Sequence, residues 1–255
     1  MKFVKLLMSC FNITVRKPAQ YLTLILILVL SVSCTTTVAR KGVEHYFPDP
    51  NVVSLIKAAE NGNEAAIKSL VDAGANINSV SKDGFTPLIW TFLSHNNAGV
   101  TALLKNGADP NLVTLEDDSA LTLAAGSKDL KTLEILLKFG GDPNAYGQRG
   151  DTALLLAIHR RRWDHMRALL KHGADINKMD IHNNNTPAMA AAGMGQYEQV
   201  YYMLENGADH TIVDRYKYTL AHMLNLPVGD ASPWKKKVQT ILEGHGITFP
   251  VPRPK

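Results

Sequence analysis

Apolar residues recur along most of the chain at helical spacing, and the helices that they predict come in pairs. Leu133, Leu136 and Leu137 are three and four positions apart, as are residues on one face of a helix. A shorter apolar run around Leu121 precedes this stripe, and matching runs around Leu88 and Leu154 lie at equal distances to either side. The pattern therefore predicts repeated pairs of short helices that share one core.

The second helix of each pair is predicted to end at a glycine that recurs at a nearly constant interval. Successive glycines are about 33 residues apart, and each begins a near-copy of the phrase Gly-Ala-Asp-x-Asn. Glycine adopts the left-handed conformation that ends many helices, and Asp or Asn suits the turn that follows. Such a period predicts a stack of small helical units. The five glycines are Gly74, Gly107, Gly140, Gly173 and Gly207.

A second phrase, at the start of each first helix, keeps the same interval. Its hydroxyl residue caps the helix by accepting bonds from free amides, and Pro87 and Pro187 follow at the first helical position, where a missing N–H costs nothing. Together the two phrases resemble the ankyrin repeat, which begins Gly-x-Thr-Pro-Leu-His-x-Ala and ends Leu-Leu-x-x-Gly-Ala-Asp-x-Asn. The five capping residues are Thr86, Ser119, Thr152, Thr186 and Thr219.

The resemblance covers about four fifths of the chain and implies an all-α, ankyrin-repeat solenoid of about six helix-pair units with short hairpin turns. The first and last units depart from the pattern, as end caps do because one of their faces meets water. A proline-rich tail, 250–255, follows and cannot continue a helix. The repeat domain, 51–249, divides into units 51–81, 82–114, 115–147, 148–179, 180–213 and 214–249.

Within the units, two departures from the family pattern bear on the hairpin turns. The family's histidine, which bonds neighbouring turns together, is kept only as His222. Asp117 stands where the family has glycine in the third unit. We therefore expect the helices to hold and the hairpin turns to vary.

The leader, 1–33, has the features of a secretory signal. Arg16 and Lys17 precede an apolar run that extends from Tyr21 to Leu30. The run ends Leu-Ser-Val-Ser-Cys, which resembles a bacterial lipobox and implies lipidation of Cys34, although the family prefers leucine where Ser31 stands. Residues 34–50 then form a lipid-anchored tether. An uncleaved membrane anchor and simple cleavage remain open, as does a start at Met8.

The predicted location is the bacterial cell envelope. A lipoprotein and an uncleaved anchor both leave Arg16 and Lys17 in the cytoplasm and put the repeats on the far side. Two or more acyl chains anchor a protein stably where one does not. By resemblance, the absence of Asp after the cysteine, where Thr35 stands, favours the outer membrane over the inner one. We expect a periplasm-facing lipoprotein.

Charge and cysteine content narrow the class of partner. The net charge of +4 is misleading, because the leader carries four of the 27 basic residues and none of the 23 acidic ones. The rest of the chain has no formal net charge, which argues against a nucleic-acid partner. The two cysteines, Cys10 and Cys34, lie outside the repeats, so no disulfide is expected there.

No motif for catalysis or for a cofactor is found in the sequence. There is no Gly-x-Ser-x-Gly elbow and no glycine-rich phosphate loop. The nine histidines are scattered without the paired spacing of zinc sites, and we expect His165 and His172 to be exposed on a second helix. The sequence predicts a protein that is not an enzyme and needs no metal or cofactor.

The resemblance implies that a partner lies on the concave side of the stack, at the hairpin tips and the exposed sides of the first helices. In the cluster from His159 to Trp163, the arginines either grip an acidic patch or form a solvated helix end, while Trp163 is expected in the core. The positions that match the family's contact sites are Lys82, Asp83, Phe85, Glu116, Asp118, Arg149, Asp151, His159, Arg160, His182, Asn183, Arg215, Tyr216 and Tyr218. Because aromatic residues and Arg are common interface anchors, the favoured ones are Phe85, Arg149, Arg160, Tyr216 and Tyr218.

Leader and repeats together predict a monomeric, non-enzymatic lipoprotein that binds a protein partner in the periplasm. The sharper hypothesis is an immunity protein that neutralises a secreted, lipase-type toxin by steric blocking. The alternatives are an envelope scaffold that tethers an enzyme or complex to the membrane, a host-directed ankyrin effector, and a hydrolase hidden in the solenoid.

Overall fold

In a computed structural model of the chain, the described residues are 42–114, 117–147, 149–228 and 232–254. The predicted signal peptide, Cys34 and the candidate contact residue Glu116 lie outside them. Residue contacts divide the chain into Met1–Tyr46 and Phe47–Lys255. In the first unit, the described residues form one short helix, α1 (Val43–Tyr46), within the predicted tether.

The second unit consists of helices joined by turns, which confirms the predicted all-α repeat solenoid. Its described residues form no sheet, although isolated bridges join Val113 to Ser119 and Tyr146 to Thr152 in two hairpins. Among all residues that the structure describes, no helix is both long enough and apolar enough to cross a membrane. The helices are α2 (Pro50–Glu60), α3 (Glu64–Asp72), α4 (Pro87–Leu93), α5 (Asn97–Lys105), α6 (Ala120–Gly126), α7 (Leu130–Lys138), α8 (Ala153–His159), α9 (Trp163–Lys171), α10 (Pro187–Gly193), α11 (Tyr197–Glu205), α12 (Leu220–Met223) and α13 (Pro233–Gly244).

The helices pack as pairs, and successive pairs stack on one another. Helices α4 and α5 form one pair, and α4 also contacts α2 and α6, the first helices of its neighbours. The predicted core leucines of the first helices, Leu88, Leu121 and Leu154, are buried. They belong to one hydrophobic cluster that runs from Leu55 in α2 to Leu242 in α13. Each unit therefore depends on its neighbours for part of its core.

The predicted helix caps are confirmed at Thr86, Ser119, Thr152 and Thr186, whereas the hydroxyl of Thr219 lies against Nδ1 of His222 instead. The hydroxyl of Thr86 accepts a hydrogen bond from the amide of Ile89 at 3.1 Å, and Thr186 does the same for Met189 at 3.2 Å. Each second helix that ends in the repeated phrase does so at a glycine with φ between +87° and +95°. L-residues with a side chain resist this conformation, which accounts for the glycines.

The residue that ends the repeated phrase joins each unit to the next. Asn78 donates from Nδ2 to the carbonyl of Gly107 at 3.1 Å, and its Oδ1 accepts from the amide of Asp109 at 2.8 Å. Asn111 and Asn144 make the same pair of bonds to the units that follow them. The phrase therefore serves both the turn within its own unit and the contact with its neighbour.

The hairpin turns share one feature despite their different sequences. Gly84, Asp117, Gly150, Asn184 and Lys217 occupy equivalent positions, and all five have φ between +58° and +82°. The expectation that the turns would vary is wrong at this position. Asp and Asn tolerate the left-handed conformation better than most residues, and the neighbouring units hold the turn in place. The helices hold, as expected.

The chain folds back on itself at the carboxyl end of the stack. After α13 ends at Gly244, the tail returns to the short helix α12. Asn225 donates from Nδ2 to the carbonyl of Val251 at 2.7 Å. The Nδ1 of His222 accepts from the amide of Thr219 at 3.0 Å, so its Nε2 donates to the carbonyl of Pro252, also at 3.0 Å. The tail thus supplies the acceptor that a further hairpin would supply.

Candidate protein-binding surface

Apolar side chains at one equivalent position of each hairpin line the surface of the stack. Val80 and Val113 are each 52% exposed, Tyr146 is 38% exposed and Val213 is 49% exposed. Met179, at the same position of the intervening unit, is half-buried. These five residues, called the apolar row below, recur at the same interval as the glycines that end the second helices. Because successive units stack, the row runs along the stack.

Contacts between neighbouring hairpins fix this surface. The hydroxyl of Tyr146 donates to the carbonyl of Met179 at 3.3 Å, and the ammonium of Lys178 lies 4.5 Å from the Tyr146 ring centroid. The amide of Ile181 donates to the carbonyl of Gly150 at 3.1 Å. A Cβ at Gly150 would lie 2.0 Å from Cγ1 of Ile181, so only glycine fits this approach.

The predicted anchors differ in how much surface they present. Tyr216 is 61% exposed at its hairpin tip. Tyr218 is half-buried and meets the His222 ring edge-on, with centroids 5.3 Å apart. Phe85 is half-buried against the core and meets Trp90 edge-on at 6.2 Å. Phe85 therefore contributes to the packing of its own unit.

Asp151 and His159 form a polar contact between a hairpin and the end of a first helix. The Nδ1 of His159 lies 3.2 Å from Oδ2 of Asp151, whose side chain is mostly buried. The hydrogen bond with Asp151 raises the pKa of His159, and burial opposes this shift only in part. This contact brings two of the predicted contact residues together.

The other predicted contact residues spread along the stack. Asp118 is half-buried, and its Oδ1 accepts from the hydroxyl of Thr122 at 3.1 Å, so it supports the start of α6. The carbonyl of Asn183 accepts from the amide of Arg215 at 2.8 Å, which joins two neighbouring tips. Arg160 is exposed at the end of α8. The exposed residues at the tips are Lys82, Asp83, Arg149, His182, Asn183 and Arg215.

Sequence reasoning missed the apolar row. Its members lie in the turns between helix pairs, so they do not enter any helical stripe. Aligning the repeats on their glycines would have shown Val80, Val113 and Tyr146 at one position. That recurrence is the signal that distinguishes them from scattered surface apolar residues, which are common in soluble proteins.

One histidine prediction is wrong. His165 is only 4% exposed, whereas His172 is exposed as expected. Burial lowers the pKa of His165, and the nearby Arg162 lowers it further. Trp163 is half-buried and packs against the core, as expected.

The described surface offers little to a small ligand. A depression of about 340 Å³ is lined by polar residues along α13, from Ser232 to Glu243, and one of about 220 Å³ lies beside Tyr201, Tyr202 and Trp234. No group of three metal-ligating side chains is assembled among the residues placed by the structure. The geometry suits a broad, exposed contact more than an enclosed site.

Comparisons with known proteins agree with this architecture. The family profile described as ankyrin repeats (3 copies) matches residues 41–114 and 121–214, more than half of the chain. The chain belongs to the ankyrin repeat family. Ankyrin repeat proteins generally act by binding other proteins and are typically not enzymes, so a protein-interaction scaffold is the function that membership supports.

Two ankyrin proteins illustrate the similarity. The putative ankyrin repeat protein FPV223 of Fowlpox virus (strain NVSL) is 55% identical over 38 residues, which are 15% of this chain and 27% of that protein. The chain thus spans about a quarter of that relative's length. The crystal structure of EF0377, an ankyrin repeat protein, superposes with a TM-score of 0.62 at 26% identity, covering 75% of this chain and 97% of that one.

Proposed function

We propose that this ankyrin protein binds one protein partner along the apolar row and the hairpin tips, and that it acts by covering that partner rather than by catalysis. The observation that carries the proposal is the exposure of apolar residues at one recurring position. Exposure of the Val80, Val113 and Val213 side chains to water is unfavourable, and a bound partner would cover them. The polar tips beside them would supply the rim of such an interface.

The rigid hairpins favour this role energetically. Backbone bonds such as that from Arg215 to Asn183 hold the tips before a partner arrives. A surface that is already ordered loses little conformational entropy on binding. Tyr216 offers a large side chain of the type that dominates binding free energy in many interfaces.

The partner that we propose is a secreted, lipase-type toxin, and the chain would be its periplasmic immunity protein. The basic and apolar leader with Cys34 supports an anchor at the membrane, outer more than inner, where a phospholipase meets its substrate. A tethered inhibitor at that surface has a high effective concentration against an enzyme working there. The toxin's active-site entrance would be blocked sterically.

The test is co-expression of the full chain with any lipase-type toxin that is encoded beside its gene, followed by affinity purification from detergent-solubilised membranes. We expect growth to be rescued and a stable complex to be recovered. A variant with Val80→Glu, Val113→Glu and Val213→Glu should lose both. Leu226→Glu is the control, because Leu226 is 41% exposed but lies outside the apolar row.

The outcomes separate the proposal from its alternatives. Rescue that survives the triple substitution would place the interface elsewhere. Recovery of a resident envelope enzyme, with no rescue, would replace the immunity role by the scaffold role. Export of the protein into a host cell would support the effector role. Turnover of an ester substrate by the purified protein would contradict a purely binding function.

A further inference from the structure

The loop between α8 and α9 carries three consecutive arginines, Arg160, Arg161 and Arg162, called the arginine loop below. We propose that the arginine loop is a second binding surface, which takes a short acidic segment of a protein through guanidinium–carboxylate pairs. It is distinct from the apolar row, which lies on the hairpins. Guanidinium groups pair with carboxylates in a planar, two-bond geometry that lysine does not offer.

The backbone of the arginine loop is fixed by α8. The amides of Arg160, Arg161 and Arg162 donate to the carbonyls of Leu156, Ile158 and Ala157 at 3.1, 2.9 and 2.8 Å. The three side chains therefore start from ordered positions, and Arg160 and Arg161 are exposed. An acidic segment that bound here would not have to order the loop first.

Folding does not account for an arginine at position 161. Arg161 has φ +55°, in the left-handed region; the equivalent residues of the first and fifth units are Gly62 and Gly195, and that of the second is His95, also at φ +55°. A side chain in this conformation is strained, whereas glycine is not. The guanidinium of Arg161 donates to the carbonyl of Met194 at 3.3 Å, a contact at the edge of the hydrogen-bond range. The fold thus gains little from this guanidinium, which stays available for binding.

The charge of the arginine loop is not neutralised within the described part of the chain. No carboxylate there lies within 4 Å of the three guanidinium groups, and the nearby Asp164 pairs instead with Arg167 at 3.2 Å. The Nε of Arg162 is buried without a hydrogen-bond partner. The start of α9 adds positive potential, because no side chain accepts from its first amides. At the equivalent place in the second unit, the Asn96 side chain caps α5.

The surroundings favour a short acidic peptide over a membrane or a nucleic acid. Asp164 and Glu134 are exposed near this end of α9, and both lie close enough to His165 to influence its pKa. Fixed negative charges beside a positive loop would repel a continuous anionic surface or a phosphate backbone. A peptide segment with two or three carboxylates can engage the loop and leave these acids in solvent.

The test measures binding of a fluorescent hexaglutamate peptide to the full chain in detergent, by anisotropy at low salt. Replacing Arg160, Arg161 and Arg162 by Gln should weaken binding at least about tenfold. The matched control replaces three exposed lysines on second helices, Lys131, Lys138 and Lys171, by Gln. It removes the same net charge and should weaken binding less than about twofold, because these charges are scattered and screened.

A single substitution separates binding from folding. Arg161→Gly removes one guanidinium together with the left-handed side chain, so the thermal midpoint should rise while peptide affinity falls about threefold. If the arginine served only the fold, peptide affinity would stay constant. Equal losses in the arginine and lysine triple variants would overturn the proposal, since binding would then reflect net charge alone.

Two further measurements complete the test. Replacing the three arginines by Gln should not reduce binding of the protein to vesicles that contain phosphatidylglycerol. Vesicle binding that depends on the arginines, without peptide binding, would overturn the proposal in favour of a lipid surface. The triple valine variant of the apolar row should bind the peptide normally, so failure of the toxin interaction and failure of this one are distinguishable.

Discussion

Asn111 holds the turn of the following unit with both atoms of its side-chain amide. Its Nδ2 donates to the carbonyl of Gly140 at 3.0 Å, and its Oδ1 accepts from the amide of Asp142 at 2.8 Å. The backbone amide of Asn111 donates to the carboxylate of Asp109, two residues earlier, at 2.8 Å, which fixes the turn that carries the Asn111 side chain. The relationship links two units through one residue.

Replacement of Asn111 by Ala should lower the free energy of unfolding by about 1–3 kcal/mol, because two hydrogen bonds between units are lost. Urea denaturation followed by circular dichroism measures the change. The control is Thr211→Ala, since Thr211 ends the same phrase in the last copy and its hydroxyl bonds to Asp209 only two residues away. Equal losses in the two variants would show that the bridge adds nothing.

His95 occupies a left-handed position in the loop between α4 and α5, with φ +55°. Gly62 and Gly195 hold the equivalent position in other units. His95→Gly should therefore raise the free energy of unfolding by about 0.5–1 kcal/mol, as the strain removed exceeds the added backbone freedom of glycine in the unfolded chain. The reciprocal change, Gly195→His, should lower it by a similar amount. Denaturant midpoints that move in the same direction for both would contradict this account.

Gly141 stands at a position of the repeated phrase where the other units carry alanine. A Cβ there would lie 2.6 Å from Cδ1 of Leu121 and 3.0 Å from the carbonyl oxygen of Leu136. Gly141→Ala, although it matches Ala108 and Ala174, should cost about 1–3 kcal/mol through overpacking. In a Leu121→Val background the same change should cost less, since the clashing methyl is gone. A cost that is identical in both backgrounds would place the strain elsewhere.

The contact between His159 and Asp151 predicts a pH dependence. Its hydrogen bond raises the folded-state pKa of His159 above the ordinary value of 6.5. The contact therefore contributes stability that is fully present below pH 6.5 and is lost as the pH rises through the raised pKa. Asp151→Asn should lower the pKa of His159, as followed by NMR, and should reduce stability more at acidic than at alkaline pH. His172→Gln, at an exposed site, should leave the pKa of His159 unchanged.

The sequence reveals those parts of the fold whose causes are local. A cap such as that of Thr86 or a helix end such as Gly140 involves residues within a few positions of each other, so a repeated phrase is enough to predict it. The bridge from Asn111 was missed because its acceptor is 29 residues away and belongs to the next unit. The turn at Asp117 was expected to change because glycine is absent, but its neighbours hold it.

The same reasoning explains what was missed at the candidate surface. Positions such as Arg149 and Tyr216 follow from the family pattern and are exposed, whereas Phe85 turned inward because Trp90 and the core lie beside it. His165 was expected outside because histidine is polar. His165 precedes Met166 in α9, and both lie on the buried side of the helix. The helix backbone therefore directs the His165 side chain inward. Residue type was a weaker guide than position on the helix.

The hydrogen bond from His222 to Pro252 ties the segment after α13 back to α12. A second bond, from Nδ2 of Asn225 to the carbonyl of Val251, holds the same segment. Residues 251 and 252 therefore belong to the cooperative folding unit of the last helix pair, although they lie in no helix themselves.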